Sequence, residues 1–181
     1  MCRSPWLGLI GLALVFFGPM AWAGASQHQV QAQQTVTTQV VNSCRILAVD
    51  TLDFGGAYNP VSNPAGSSVT HQGNVELACT AGVTGWIGAD SGSNAPSGSS
   101  NLCTNPDRRL ISIGGVYLNY QLTYNQGGSP MTWGCDSTEA PSFTSVSMYT
   151  PILVPTTATI PGGQDVPSGN YNDAMVLSVN F

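Results

Sequence analysis

Lysine is absent from this 181-residue chain, and charge of either sign is scarce: four arginines oppose nine acids, for a formal net charge of −5. So few cations make no basic stripe for nucleic acid and no polybasic patch for anionic lipid. Histidine is nearly absent too. His28 lies in an uncharged leader and His71 in what reads as a polar loop, so neither has the partner that acid–base catalysis requires. The carboxylates are scattered and show no glycosidase-like motif. Asp90, Asp107 and Asp136 lack the ligand spacing of a calcium loop and read as loop solvation. No CxxC pair occurs, which removes the usual zinc and redox motif. An enzyme is therefore not expected, nor are catalytic, cofactor or metal sites. A helical stripe is also missing beyond the first twenty or so residues, which points away from helices.

What is present begins with an export signal. Arg3 supplies a positive start, residues 7–17 an apolar run, and Ala21-Trp22-Ala23 a small-residue cleavage site after Gly18-Pro19. The run is too short for a membrane span. Residues 1–23 are read as a signal peptide, leaving about 158 residues, enough for one sandwich-sized core. Cys2 leaves with the signal, and Cys44, Cys79, Cys103 and Cys135 remain. In an exported chain this even count reads as two disulfides with three connectivities open. The expected pairs are Cys44–Cys79 and Cys103–Cys135, each closing a loop of roughly 35 residues.

The rest reads as short strands between turn residues. Residues 24–41 are rich in Gln, Thr and Val, and Val30, Ala32, Val36 and Val40 share one parity, the mark of an extended segment. Val75, Leu77 and Cys79 alternate with Asn74, Glu76 and Ala78, which turns Cys79 inward. Residues 110–113 and 116–124 flank Gly114-Gly115 as a hairpin. Residues 145–154 and 158–160 read as two strands split by Pro155, and Leu52-Asp53-Phe54 as the end of a short one. Residues 90–105 form a surface loop. Tyr171, after Asp165 and Gly169, has the placement of a tyrosine corner. Finally Met175, Leu177, Val179 and Phe181 share one face of a last strand. The chain closes in mid-strand on Phe181, so that strand wants a further neighbour. Of the aromatics, Trp86 reads as core filling, while Trp133, beside a glycine turn and a cysteine, is a candidate for stacking on a sugar ligand. Many short strands at regular spacing argue for an antiparallel sandwich.

Several stretches carry a resemblance: Val41-Asn42-Ser43-Cys44, Leu52-Asp53-Phe54-Gly55, Asn74-Val75-Glu76-Leu77-Ala78-Cys79, Arg108-Arg109-Leu110, and Gly169-Asn170-Tyr171-Asn172-Asp173 running to Phe181. Together they resemble the spore coat protein U domain family, which includes archaic chaperone–usher pilins of Gram-negative bacteria. The resemblance implies an all-β, immunoglobulin-like sandwich lacking its final strand and completed by donor-strand complementation. It implies a periplasmic chaperone, an outer-membrane usher and neighbouring pilin subunits as partners, and a place in a surface fimbria serving adhesion or biofilm formation. A pilus-associated adhesin or carbohydrate-binding module is the second reading. On this pattern residues 24–38 are the N-terminal extension, with Val30, Ala32 and Val36 as donor-strand residues. Residues 39–181 form the domain, with Met175, Leu177, Val179 and Phe181 along its acceptor groove. A lysine-linked covalent pilus is excluded, since the amine nucleophile is missing.

Overall fold

The computed structural model describes residues 30–97 and 103–181; the expected signal peptide and His28 lie outside them. Residues 30–38 form no strand or helix and are exposed. The compact body runs from residue 39 to 181. It holds ten strands and, among the described residues, no helix: β1 Cys44–Val49, β2 Val69–Cys79, β3 Thr84–Ala89, β4 Arg108–Ser112, β5 Tyr117–Gln126, β6 Ser129–Thr132, β7 Ser142–Thr144, β8 Ile152–Ile160, β9 Tyr171–Asn172 and β10 Leu177–Asn180.

Every pairing is antiparallel. The larger sheet has the order β1-β2-β8-β5-β4-β9, with β6 also on β5, and the smaller has β10-β3-β7. The sheets face each other through rows fixed by strand parity. Val75, Leu77 and Cys79 of β2, Leu122 and Tyr124 of β5, and Val154 and Ala158 of β8 point inward and cluster with Ile87 and Ala89 of β3 and Phe143 of β7. Leu118 and Tyr120 of β5 and Ile160 of β8 form a second cluster with Phe54, Leu110 and Met175. Gly114-Gly115 turns β4 into β5, with Gly115 at φ +77°, a conformation side-chain-bearing residues rarely adopt.

Cys44 is bonded to Cys79 and Cys103 to Cys135. The first bridge joins residues directly opposite one another in the β1–β2 ladder, so register and crosslink reinforce each other. The tyrosine-corner placement is also present as a bond: the Tyr171 hydroxyl donates to the Pro167 carbonyl at 2.8 Å.

Four expectations need correction. Residues 145–151 are not a strand but a turn, in which the Tyr149 amide donates to Ser147 Oγ and the Thr150 amide to the Ser147 carbonyl. Nor does Pro155 split β8, which is continuous from Ile152 to Ile160. The β5 ladder ends at Tyr124↔Thr156, so the proline sits at the margin of that ladder, where a missing donor is tolerated. Residues 51–54 form no ladder; they run extended past β2. His71 belongs to β2 rather than to a loop, with its ring edge-on to Phe54 and Nδ1 3.0 Å from the Asp53 carbonyl oxygen.

Candidate functional site: a groove beside the last strand

Two sheet edges lie open on the same side of the sandwich. Among the described residues β1 pairs only with β2, and β10 only with β3. The chain leaving β1 does not close the gap. Asp50 holds on to β2, its amide donating to the Asn74 carbonyl and its carboxylate accepting from the Asn74 amide at 2.9 Å. Leu52 then crosses β2 at Gly73, where a Cβ would come within 2.9 Å of the leucine.

The gap that remains is a groove. One cavity of ≈ 170 Å³ is walled by residues 49–52 and Phe54 on one side and Asp173, Met175 and Leu177 on the other, over a floor that includes Val75, Leu122 and Ala158. A second, of ≈ 670 Å³, continues it between residues 51–60 and 166–173, over Leu118 and Ile160. Thr51, Leu52, Phe54, Leu110 and Asp173 line both, so the two form one trough. Phe54 and Met175 each pack against both of the body's apolar clusters. The trough thus runs over the junction in the core.

The far wall is held by side chains more than by a ladder. From β9, paired with β4, the chain crosses to β10, paired with β3. Between them Asp90 Oδ1 accepts from the Val176 amide at 3.0 Å, and the Ser93 amide donates to the Ala174 carbonyl at 2.9 Å. Asp173 accepts at Oδ1 from Asn94 and at Oδ2 from the Tyr120 hydroxyl, 2.7 Å away. Burial and this bond push the Tyr120 phenol far above its ordinary range. Gly92 packs so close to Asp173 that a Cβ there would collide with the carboxylate.

Beneath this sits Arg108, almost fully buried. Its guanidinium donates to the carbonyls of Ala89, Asp90 and Trp133 at 2.7–3.0 Å. Burial lowers its pKa, while the carboxylates of Asp90, Asp173 and Glu139 act the other way. A buried charge of this kind needs such partners, and here one side chain ties the end of β3 to Trp133, the residue just past β6. Its burial was not anticipated, since an arginine pair before a strand reads as surface; the one local sign is its place in the Arg108-Arg109-Leu110 motif.

Of the expected groove residues, Met175 and Leu177 line the cavity. Val179 is half-buried against the same core, and Phe181 is 55% exposed. Val30 and Val36 are 93% and 86% exposed, and Ala32 is exposed as well. Trp133 is a correction. It is fully buried, edge-on to Tyr124, and its indole N–H donates to the Ile87 carbonyl at 2.7 Å. It offers no face to a sugar. No group of metal-ligating side chains occurs among the described residues, and no helix among them is long and apolar enough to cross a membrane.

Fold and groove together define an immunoglobulin-like β-sandwich with an open edge. Residues 30–178 match the Spore Coat Protein U domain family, and the chain belongs to it. The family is structural and non-enzymatic. Protein U of Myxococcus xanthus is 31% identical over 175 residues, spanning 93% of this chain and 92% of that protein. Among solved structures, the chaperone–tip adhesion subunit pre-assembly complex CsuC–CsuE, from archaic chaperone–usher Csu pili of Acinetobacter baumannii, matches with a TM-score of 0.51 at 21% identity. That match covers 78% of this chain and 40% of the other, and it is a likeness of fold.

Proposed function

We propose that this protein is a structural subunit of a surface fibre built by the chaperone–usher route, and that its groove is an acceptor for a strand from another polypeptide. The carrying observation is the trough between the unpaired edges of β1 and β10, floored by apolar side chains. An extended segment laid there would find backbone donors and acceptors at a strand edge and an apolar row beneath, the requirements of strand addition. A periplasmic chaperone would fill the trough first, and the extension of a neighbouring subunit would replace it at an outer-membrane usher. The fibre would stand on the cell surface and serve adhesion or biofilm formation. This rests on the family and on the chaperone-bound pilus subunit of like fold.

Residues 24–38 are assigned as the extension. Val30, Ala32 and Val36 share the parity that would face a neighbour's groove, beside its Met175, Leu177, Val179 and Phe181. A one-residue slip would turn the whole row outward. Placing a carboxylate in that apolar trough costs several kcal/mol. Val36→Asp should therefore abolish surface fibres while leaving the subunit able to bind its chaperone, and Gln33→Asp, on the opposite face, should be tolerated. Equal loss in both variants, or normal fibres in both, would remove Val36 as an anchor.

A further inference from the structure

The two ends of the sandwich both carry apolar side chains in water. At one end β2 finishes, β8 starts with Ile152 opposite Leu77, and the turn 80–83 leads into β3. Two other segments are bonded to that turn. The Thr80 amide donates to the Ser43 carbonyl and its hydroxyl to the Val41 carbonyl, which fixes the place where the N-terminal segment joins the body. The Gly82 amide donates to the Ser145 carbonyl, and the Ser145 amide to the Val83 carbonyl. Ser145 is buried, its hydroxyl bonded to the Cys79 carbonyl, and the turn that follows holds Val146, Met148 and Tyr149 exposed. An apolar tip on a bonded root thus stands beside the point where residues 30–41 leave. Scattered apolar residues are ordinary on a surface, but three within four positions of one turn make a patch.

At the opposite end β2 begins with Val69 opposite Ile160, and β4 turns into β5. Val61 is exposed in the turn 59–63. That turn is tied by the Asn59 amide donating to Asn63 Oδ1, and the Gly163 amide holds it to the chain after β8 by donating to the Asn63 carbonyl. Ile113 is exposed in the turn after β4. None of the segments 59–63, 113–116 and 145–151 contains a charged residue, so no like-charge repulsion opposes contact between them.

We propose that these ends meet in the fibre: the turn 145–151 of one subunit packs against the turns carrying Val61 and Ile113 in the next copy, a joint additional to the exchanged strand. The inference rests on the strand-addition reading above. Only three residues lead from Thr38, where the extension ends, to the bonded Val41, so a seated extension draws the two bodies to within about 10 Å. Strand direction decides which ends face each other. β10 runs toward the turn 80–83, since Leu177 pairs with Ala89 and Asn180 with Trp86. A donor strand parallel to β10 would bring the donor's body to the end from which the acceptor's own extension leaves, and two neighbours would compete for one place. A donor strand antiparallel to β10 brings that body to the other end, so each subunit receives at one end and gives at the other. Such a contact is heterologous and repeats into an open fibre. It sets the apolar tip of one copy against the end of the next that holds Val61 and Ile113.

The test puts the photo-crosslinker benzoylphenylalanine in place of Tyr149 and irradiates assembled fibres. The expected crosslinks join position 149 to residues 59–63 or 113–116 of a second copy. A second arm compares Met148→Ser with Tyr149→Ser against Val61→Ser with Ile113→Ser, all at exposed positions. Fibres should still form in both, since the groove and the extension are untouched. Either pair should shorten the persistence length seen by electron microscopy about twofold, because bodies joined by a small interface move freely. All four substitutions together should do no more than either pair, as expected of residues that share one contact. Crosslinks to the turn 145–151 of a neighbour, or to no second copy, would overturn the proposal, as would unchanged stiffness in both pairs. Those results would leave the strand-addition reading standing, whereas failure of the unaltered chain to form fibres would remove that reading and the joint with it.

Discussion

Strands β8 and β10 carry the same alternating design, yet only one is covered. On β8, Val154, Thr156, Ala158 and Ile160 are all under 7% exposed, because β2 and β5 flank the strand and the opposite sheet roofs it. Along the last strand Met175, Leu177 and Val179 point to the same core but stay half-exposed, and Phe181 is 55% exposed. The amino-acid choice does not explain the difference, since the covered row, with Thr156 in it, is the less apolar of the two. The neighbours do. Alternation tells which side of a strand is meant to be buried, and the number of flanking strands decides whether it is.

Substitutions should divide along that line. The largest effect is expected at the covered strand: Ile160→Ala should cost about 4 kcal/mol in urea unfolding, through lost transfer energy and the space left behind. Arg108→Met should cost about 3 kcal/mol, since it leaves the carbonyls of Ala89, Asp90 and Trp133 without their donor in a buried site. It should also loosen the groove wall, seen as faster amide exchange at residues 173–176. Tyr120→Phe removes one bond to a carboxylate and should cost about 1.5 kcal/mol. The smallest loss is expected at the open edge. Leu177→Ala should cost only about 1 kcal/mol in the free subunit, and the loss should grow once a strand occupies the groove. An Ile160-sized loss at Leu177 in the free subunit would erase the comparison.

Much of this was legible in the sequence, for local reasons. Parity at Val75, Leu77 and Cys79 fixed the inward face of β2 without knowledge of its partners, and the glycine pair at 114–115 marked its hairpin. Gly169 to Tyr171 announced the corner that the Pro167 carbonyl completes. The misreadings share a cause, which is that burial is a property of neighbours. Residues 145–154 have strand composition, but only Ser145 keeps backbone bonds to a neighbouring segment, at residues 82–83, before the chain turns at Ser147. Trp133 looked exposed beside a glycine turn and a cysteine, yet the inner face of the sandwich receives it. Trp86, read as core filling, does pack against the core, half-buried. Arg108 was unreadable as a buried cation because its partners are three backbone carbonyls, which no side-chain pattern records.

The central claim is that the last strand lacks a neighbour which an alternating segment can supply. A synthetic peptide of residues 30–41 added to the free subunit tests it directly, with amide exchange read along β8 and β10. The account predicts that β10 amides exchange faster than those of β8 without peptide and become protected with it. Unfolding should then shift by about 2.7 kcal/mol at a hundredfold excess over Kd, and the Val36→Asp peptide should do neither. Equal protection of β8 and β10 in the free subunit, with no response to either peptide, would contradict it.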